Sequence, residues 1–184
     1  MHLKVFKEKH SRNKLNMTKT LAAIILLALP VSTLPGQDEG LKNILAPGAK
    51  LEKLADGFLF TEGPTADNAG NGYFTDQPND RIMLWNEKSG ISVFMQPSGR
   101  SNGLALDREG NIWSCADEKT ELWRISPGKN IERIAGAFEG KLFNGPNDVW
   151  ADPAGGVYFT DPFYRRDWWS HKEMPQEKQR IYYL

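Results

Sequence analysis

The chain has 184 residues, of which 40% are hydrophobic and 25% are charged, an ordinary composition for a soluble globular protein of one domain or slightly more. Basic and acidic residues both number 23, but six basic residues and one acidic residue precede position 37, so the remainder has a net charge of −5. This acidic body argues against nucleic acid as a partner, and the single cysteine excludes an internal disulfide or a zinc site built from cysteines.

The first element along the chain is an apolar run over residues 21–29. It is about half as long as the roughly 20 residues that a membrane-spanning helix needs. Basic residues precede it and proline, serine and glycine follow, which is the pattern of a secretory signal peptide. We predict a basic leader plus signal peptide over 1–36 with its start at Met17, a linker over 37–50, no membrane span, and export to the periplasm or beyond. The alternative is a short amphipathic or core helix.

The body of the chain repeats itself at spacings of 40 and 45 residues. Segments 62–76, 102–116 and 147–161 align so that an aspartate, a glycine and an aromatic residue recur in register. The aligned aspartates are Asp67, Asp107 and Asp152. Each begins a D-x-x-G sequence, which is typical of a tight turn with a glycine at positive φ.

Short β-rich runs follow each turn, and further ones lie at 81–85, 91–95, 121–125, 131–135 and 180–184. About four short strands per repeat predict an all-β protein of the β-propeller class, with about three blades in 51–184. A β-sandwich or meander is the alternative. Propellers close with roughly four to eight blades. We therefore expect an incomplete propeller that is the N-terminal half of a longer protein, or else chains that pair to close a ring.

A polar residue stands five positions before the aligned aspartate in each repeat, namely Glu62, Asn102 and Asn147. Repeat equivalence predicts that the three residues occupy corresponding places on the first strands, which line the channel of a propeller. Carboxylate and amide oxygens suit Ca²⁺ or Mg²⁺. The alternative is that they only cap turns or bond to neighbouring blades. With three histidines and no G-x-S-x-G or phosphate-binding motif, other catalytic chemistries have little support.

Three motifs, TEGP at 61–64, SGRSNGLALD at 98–107 and GPNDVWADPAGGVYFTDPFY at 145–164, resemble the gluconolactonase / regucalcin / luciferin-regenerating-enzyme family. The resemblance runs from about residue 51 to 184. It implies a six-bladed propeller that binds a divalent metal, often Ca²⁺, and hydrolyses sugar lactones. It implies that Glu62 and Asn147 are metal ligands and that Asn147 also contacts substrate. Repeat equivalence adds Asn102 as a substrate-binding residue.

The resemblance also implies parts that this chain does not supply. The remaining metal ligands and the aspartate that acts as general base come from later blades, beyond Leu184, so the catalytic residue is unknown and we expect the chain alone to be inactive. Some relatives carry an arginine two residues before the third-blade asparagine, where this chain has Gly145. A non-catalytic secreted binding propeller, or an esterase of another substrate class, are the alternative functions.

Two further features remain open at this point. Asp76 and Asp161 end the second strands of their repeats and either hydrogen-bond within turns or reach the channel. The insertion at 162–179, rich in aromatic and charged residues, is either the rim of a sugar pocket or a solvated surface loop, with His171 as a surface histidine.

Overall fold

A computed structural model describes residues 44–184 and the backbone of strand β1 (Lys4–Val5). The rest of the predicted leader and signal peptide, together with the first half of the linker, lies outside the described residues. Residues Leu54–Leu184 belong to one compact unit. Within the part of the chain that is described, no helix has the length and apolarity to cross a membrane.

The fold consists of three four-stranded antiparallel sheets, which are consecutive blades of an incomplete β-propeller. The first blade contains β2 (Thr61–Ala66), β3 (Gly72–Asp76), β4 (Arg81–Asn86) and β5 (Gly90–Met95). The second contains β6 (Ser101–Leu106), β7 (Ile112–Ala116), β8 (Glu121–Ile125) and β9 (Ile131–Ala135). A short hairpin, β10 (Ala137–Phe138) and β11 (Lys141–Leu142), leads to the third blade.

The third blade contains β12 (Val149–Ala151), β13 (Val157–Asp161) and β14 (Arg180–Tyr183), and β1 pairs with β14 as its fourth strand. The predicted strands of all three repeats are therefore confirmed. The only helical segments in the described part are two three-residue 3-10 turns, Gln77–Asn79 and Asp117–Lys119.

The D-x-x-G sequences form the predicted tight turns between the first and second strands. The N–H of Gly70 donates to the carbonyl of Asp67 at 3.1 Å, and the two other repeats make the equivalent bond. The three glycines have φ values of +82°, +80° and +101°, which glycine adopts without steric cost. The turn prediction is confirmed in every repeat.

The hydrophobic core lies between successive blades, because the side chains of a strand alternate between its two faces. One cluster joins the first and second blades and includes Ile82, Met95 and Ile112. The other joins the second and third blades and includes Cys115, Phe159 and Tyr182. The second blade therefore contributes both of its faces to the core. The single cysteine is fully buried there.

The first strands of the three blades approach each other backbone to backbone at the start of each strand. A Cβ built on Gly63 would overlap the carbonyl oxygen of Asn102 and lie 2.6 Å from the backbone nitrogen of Leu104. A Cβ on Gly103 would lie 2.6 Å from the Cα of Asp148 and 2.7 Å from the carbonyl oxygen of Asn147. The N–H of Gly103 also donates to that carbonyl oxygen at 2.7 Å. Only glycine permits this spacing.

We expect Gly103→Ala to lower the free energy of unfolding by about 2 kcal/mol or more, because the added methyl group overlaps backbone atoms that cannot rotate away. Gly128→Ala is the matched control, since a Cβ there would meet only side-chain atoms of Asn130 and Ser126 at 3.5 and 3.7 Å. Its effect should stay within about 0.5 kcal/mol. Equal unfolding midpoints of the two variants in urea would contradict the close approach.

Candidate functional site

The three polar residues singled out by the repeats lie at one edge of the propeller. Glu62 pairs with Thr75 across the first blade, at the end where β2 begins and β3 ends. Asn102 occupies the same place at the start of β6, and the N–H of Asn147 donates to the carbonyl of Thr160 at 2.9 Å in the third blade. The predicted structural equivalence of these residues is confirmed by these pairings.

The backbone contacts at Gly63 and Gly103 bring the three residues next to one another. Gly63 follows Glu62 and lies against the carbonyl of Asn102, while Gly103 follows Asn102 and bonds to the carbonyl of Asn147. The hydroxyl of Thr75 also donates to the carbonyl of Asn102, at 3.0 Å. Successive blades therefore place the three residues in a row across the first strands.

The side chains of Glu62, Asn102 and Asn147 form no hydrogen bonds to other described residues, unlike the side chains of asparagines in the turns. No hydrogen bond or ion pair joins any of these three side chains to another described residue. By contrast, the amides of Asn71 and Asn111 bond to turn aspartates. The alternative that the three polar residues cap turns or bond to neighbouring blades through their side chains is therefore not supported.

The donor types available at this edge are one carboxylate and two amides, all of them oxygen ligands of the kind that Ca²⁺ and Mg²⁺ prefer. Among the described residues, no group of three or more histidine, cysteine, aspartate or glutamate side chains could hold a metal. At this edge, the three described side chains therefore form a partial set of oxygen ligands for a hard cation. A role of Glu62 and Asn147 as metal ligands stays a prediction.

Asp76 and Asp161 hold the loops that lead into the first strands. In the third blade, the Asp161 carboxylate accepts the N–H groups of Asn144 at 3.1 Å and Gly145 at 2.8 Å. In the first blade, Asp76 accepts the N–H groups of Leu59 at 3.0 Å and Phe60 at 3.3 Å. Both carboxylates are fully buried, so the hydrogen-bonding interpretation is the correct one.

These two aspartates have different protonation behaviour despite their equivalent positions. Burial raises the pKa of Asp161 from 3.8 to about 6, with the N–H donors of Gly145 and Asn144 only partly opposing it. Burial also acts to raise the pKa of Asp76, but side-chain hydrogen bonds from Asn79 and Arg81 outweigh it, so that pKa lies below the ordinary value. Arg81 donates twice to Asp76 Oδ2, at 2.9 and 2.7 Å.

In the second blade the equivalent position is Ala116, which has no carboxylate. A residue of the first blade accepts the N–H groups of the loop instead. Asp80 Oδ1 accepts the N–H groups of Ser98 at 3.0 Å and Arg100 at 2.6 Å, directly before β6. The sequence analysis missed this residue, because it lies outside the aligned segments. Its only signal is its place in the short turn between β3 and β4.

Asp117 is a second residue that the sequence analysis missed. Its side chain is buried next to Gln77, whose Nε2 donates to Asp117 Oδ2 at 3.1 Å. Arg166 Nε lies 3.3 Å from the same oxygen. Burial raises the pKa of Asp117 to about 7, against the opposing positive charge of Arg166. Gln77 and Asp117 are in register in their repeats, which is the signal that could have identified the pair.

The insertion 162–179 follows β13 at the same edge and packs onto it. Trp169 is only 3% exposed, and its Nε1 donates to the carbonyl of Asp117 at 2.6 Å. Its indole occupies the space beside Gly145, where a Cβ would lie 2.5 Å from Trp169 Cζ2. His171 stacks on Trp169 with ring centroids 4.7 Å apart, and its Nε2 lies 3.2 Å from the carbonyl oxygen of Asn144. The interpretation of the insertion as a solvated loop is therefore wrong at Trp169, which is buried, whereas His171 is half-buried.

A cavity of about 250 Å³ lies at the opposite ends of the first strands, lined by the three D-x-x-G turns. The aspartates there accept hydrogen bonds within their own turns, for example Asp67 from Asn71 and Asp107 from Asn111. These carboxylates are engaged in the fold. The candidate site therefore remains at the edge that holds Glu62, Asn102 and Asn147.

The fold is a propeller of three four-stranded blades. Its candidate channel site is the row of Glu62, Asn102 and Asn147, whose side chains form no hydrogen bond to another described residue. Residues 60–182 match the family described as SMP-30/Gluconolactonase/LRE-like region. The chain belongs to this family, as the motifs of its repeats predict.

The relatives that the chain matches are gluconolactonases and proteins of the same fold. It is 30% identical over 139 residues to a gluconolactonase of Zymomonas mobilis subsp. mobilis, covering 67% of this chain and 39% of that protein. It is 34% identical, with a TM-score of 0.69, to a gluconolactonase-family protein solved by the Northeast Structural Genomics Consortium, covering 76% and 50% of the two chains. Regucalcin from Agrobacterium tumefaciens has the same fold, at 19% identity and a TM-score of 0.54, covering 72% and 48%. The chain spans half the length of these proteins or less.

The raised pKa of Asp117 predicts a pH-dependent stability. Between about pH 4 and 7 the folded chain holds a proton on Asp117 that the unfolded chain has released. The protonated side chain therefore stabilises the folded chain at low pH, and this stabilisation is lost as the pH rises through about 7. Asp117→Asn cannot ionise. We expect the free energy of unfolding to fall less between pH 4.5 and 7.5 in Asp117→Asn than in the wild type, by up to roughly 4 kcal/mol.

The matched control is Asp167→Asn, which makes the same change at an exposed carboxylate of the neighbouring insertion. Urea unfolding at a series of pH values measures the effect. An identical pH dependence in the wild type and in Asp117→Asn would show that Asp117 is ionised in the folded chain throughout this range.

Proposed function

We propose that this chain supplies part of the active site of a metal-dependent hydrolase of sugar lactones. The observation that carries the proposal is the row formed by Glu62, Asn102 and Asn147, whose side chains have no partner among the described residues. Membership of a gluconolactonase-like family supports the substrate class. The chain offers three oxygen donors at this edge, fewer than the six to eight that Ca²⁺ takes, so we propose that it is inactive without further blades.

Glu62 and Asn147 are the residues that we assign to the cation. The carboxylate of Glu62 supplies the negative charge, and the amide oxygen of Asn147 supplies a neutral ligand. The all-oxygen set favours Ca²⁺ or Mg²⁺, and we propose Ca²⁺ because the regucalcin of the same fold is named as a calcium-binding protein. When bound, the cation would polarise the carbonyl oxygen of the lactone.

Asn102 and Asn147 are the residues that we assign to the substrate. Each amide has both donor and acceptor atoms, so each can bond to a sugar hydroxyl in either sense. Their backbones are fixed by the contacts at Gly63 and Gly103, which would hold the lactone ring in a defined orientation.

The general base lies outside the residues that we can assign. Asp161 is unsuited to this role, because its two carboxylate oxygens accept the N–H groups of Asn144 and Gly145. Asp76 is bonded to Arg81 and to the loop before β2. We therefore propose that the base comes from a later blade.

We also propose that the basic leader plus signal peptide at 1–36 directs the protein to the periplasm or the exterior.

The protein encoded by the complete open reading frame provides the test of Glu62. We expect Glu62→Gln to weaken Ca²⁺ binding at least about tenfold, and to lower kcat/KM for glucono-1,5-lactone by a similar factor or more, because the only carboxylate of the assigned set loses its charge. Calorimetry and a pH-indicator assay of lactone opening measure the two effects. Glu109→Gln, at an exposed turn on the opposite edge, is the matched control.

Unchanged Ca²⁺ affinity in Glu62→Gln would remove Glu62 from the metal site. Ca²⁺ binding by a wild-type protein that opens no sugar lactone would favour a binding propeller, and turnover of aryl esters alone would favour an esterase of another class.

A further inference from the structure

One buried carboxylate lies beside the loops that lead into all three first strands. Asp117 occupies the 3-10 turn after β7 and is only 2% exposed. It contacts, directly or through one neighbouring residue, the chain two or three positions before each member of the row formed by Glu62, Asn102 and Asn147. The positions that it reaches are Phe60, Gly99, Arg100 and Gly145.

Gln77 carries the contact to the first blade. Its side chain is buried, and its Nε2 donates to Asp117 Oδ2 at 3.1 Å. Its backbone N–H donates to the carbonyl of Phe60 at 3.1 Å. Phe60 directly precedes β2, in which Glu62 is the second residue. Two hydrogen bonds therefore join Asp117 to the loop in front of Glu62.

The contact to the second blade runs through backbone carbonyls. The N–H of Glu118, the residue after Asp117, donates to the carbonyl of Gly99 at 2.9 Å. Gln77 Nε2 also lies 3.5 Å from the carbonyl oxygen of Arg100. Both carbonyls lie immediately before β6, so these contacts hold the entrance to the first strand of the second blade.

The contact to the third blade includes the insertion. A Cβ built on Gly145 would lie 3.3 Å from Asp117 Oδ1, and the indole of Trp169 fills the adjoining space. Trp169 Nε1 donates to the backbone carbonyl of Asp117 at 2.6 Å. Arg166 Nε lies 3.3 Å from Asp117 Oδ2. The insertion is therefore held against Asp117 by both main-chain and side-chain contacts, at the loop in front of Asn147.

The partners of Asp117 distinguish it from the two other buried aspartates of this edge. The hydrogen bonds that Asp76 and Asp161 accept come from their own blades and from the loops in front of them. Asp117 instead has partners in the first blade and in the insertion. A buried carboxylate is costly to leave unpaired, so contacts from different parts of the chain fix the relative positions of those parts.

We propose that Asp117 is a positioning residue of the candidate site, which sets the spacing of the row by joining the loops in front of the three first strands. This inference rests on the proposed lactonase function, and it assigns Asp117 no contact with the cation or the lactone. The groups that bind a small substrate must be held within about 0.5 Å of their productive positions. Because the loops belong to three blades, we expect loss of the Asp117 side chain to displace all three members of the row together.

The protein encoded by the complete reading frame provides the test. We expect Asp117→Ala to lower kcat for glucono-1,5-lactone at saturating Ca²⁺ at least about tenfold, with a smaller change in KM, because misplaced groups weaken binding of the transition state more than binding of the substrate. Asp167→Ala, which removes an exposed carboxylate of the insertion, is the matched control and should keep the wild-type constants. The assays use a temperature at which circular dichroism shows each variant to be folded. An unchanged kcat in folded Asp117→Ala would overturn the proposal.

Amide hydrogen exchange of the Ca²⁺-free protein gives a readout that needs no activity. The N–H groups that Asp76, Asp80 and Asp161 accept report on the three loops. We expect Asp117→Ala to speed exchange at least about tenfold in segments 58–61, 98–101 and 144–146, because each loses a link to the same carboxylate. The D-x-x-G turns on the opposite edge should keep wild-type rates. Faster exchange in fewer than three of these segments, or uniformly along the chain, would overturn the proposal.

These measurements separate a failure of this proposal from a failure of the proposed function. If the wild-type protein opens no lactone, the proposed function fails, and the exchange measurement still decides whether Asp117 positions the three loops. If Asp117→Ala does not fold, Gln77→Met takes its place, because it removes only the side-chain amide that bonds to Asp117. We expect it to speed exchange in 58–61 and 98–101 at least about tenfold and to leave 144–146 at the wild-type rate. Wild-type exchange in all three segments would overturn the proposal.

Discussion

The structure depends on the backbone contact between the first strands of neighbouring blades. Gly63 lies against backbone atoms of Asn102 and Gly103, and Gly103 lies against backbone atoms of Asn147 and Asp148 and against the Asp148 carboxylate. The hydrogen bond from Gly103 to the carbonyl of Asn147 closes this contact. Because the distance is set by backbone atoms, the row of Glu62, Asn102 and Asn147 does not depend on the rotamers of intervening side chains. A rigid backbone is what a site for a cation or a small substrate requires.

Buried carboxylates hold this edge of the propeller in place, and their charge depends on local partners. Asp76 and Asp161 occupy the same position in their blades, and each accepts two backbone N–H groups from the loop before its first strand. Arg81 bonds directly to Asp76 and stabilises its charge, whereas Arg180, at the equivalent position opposite Asp161, donates to Gln176 instead. Burial then dominates at Asp161. Equivalent positions in a repeat therefore share their geometry although the pKa is raised at Asp161 and lowered at Asp76.

The repeats made the strands, the turns and the alignment of the polar residues predictable, because these features follow from local sequence. A D-x-x-G sequence carries its own turn, and alternation along β7 places Cys115 and Ile112 on opposite core faces. Residue equivalence then predicted the row of Glu62, Asn102 and Asn147. The cluster around Asp117 was not predictable in this way. The register of Gln77 and Asp117 in their repeats could have identified that pair, but the contacts of Arg166 and Trp169 come from the insertion, which has no counterpart in the other repeats.

The packing of Trp169 against Gly145 determines which residues carry positive charge at this edge. A side chain at position 145 would overlap the indole of Trp169, so a long cationic residue there is incompatible with the observed packing. The packing of Trp169 also places its neighbour Trp168 against Arg100, and the segment brings Arg166 to Asp117. Positive charge at this edge therefore comes from the second blade and from the insertion. The absence of a side chain at Gly145 therefore permits the packing of Trp169, and with it the contacts of Arg100 and Arg166 with the ring of Trp168.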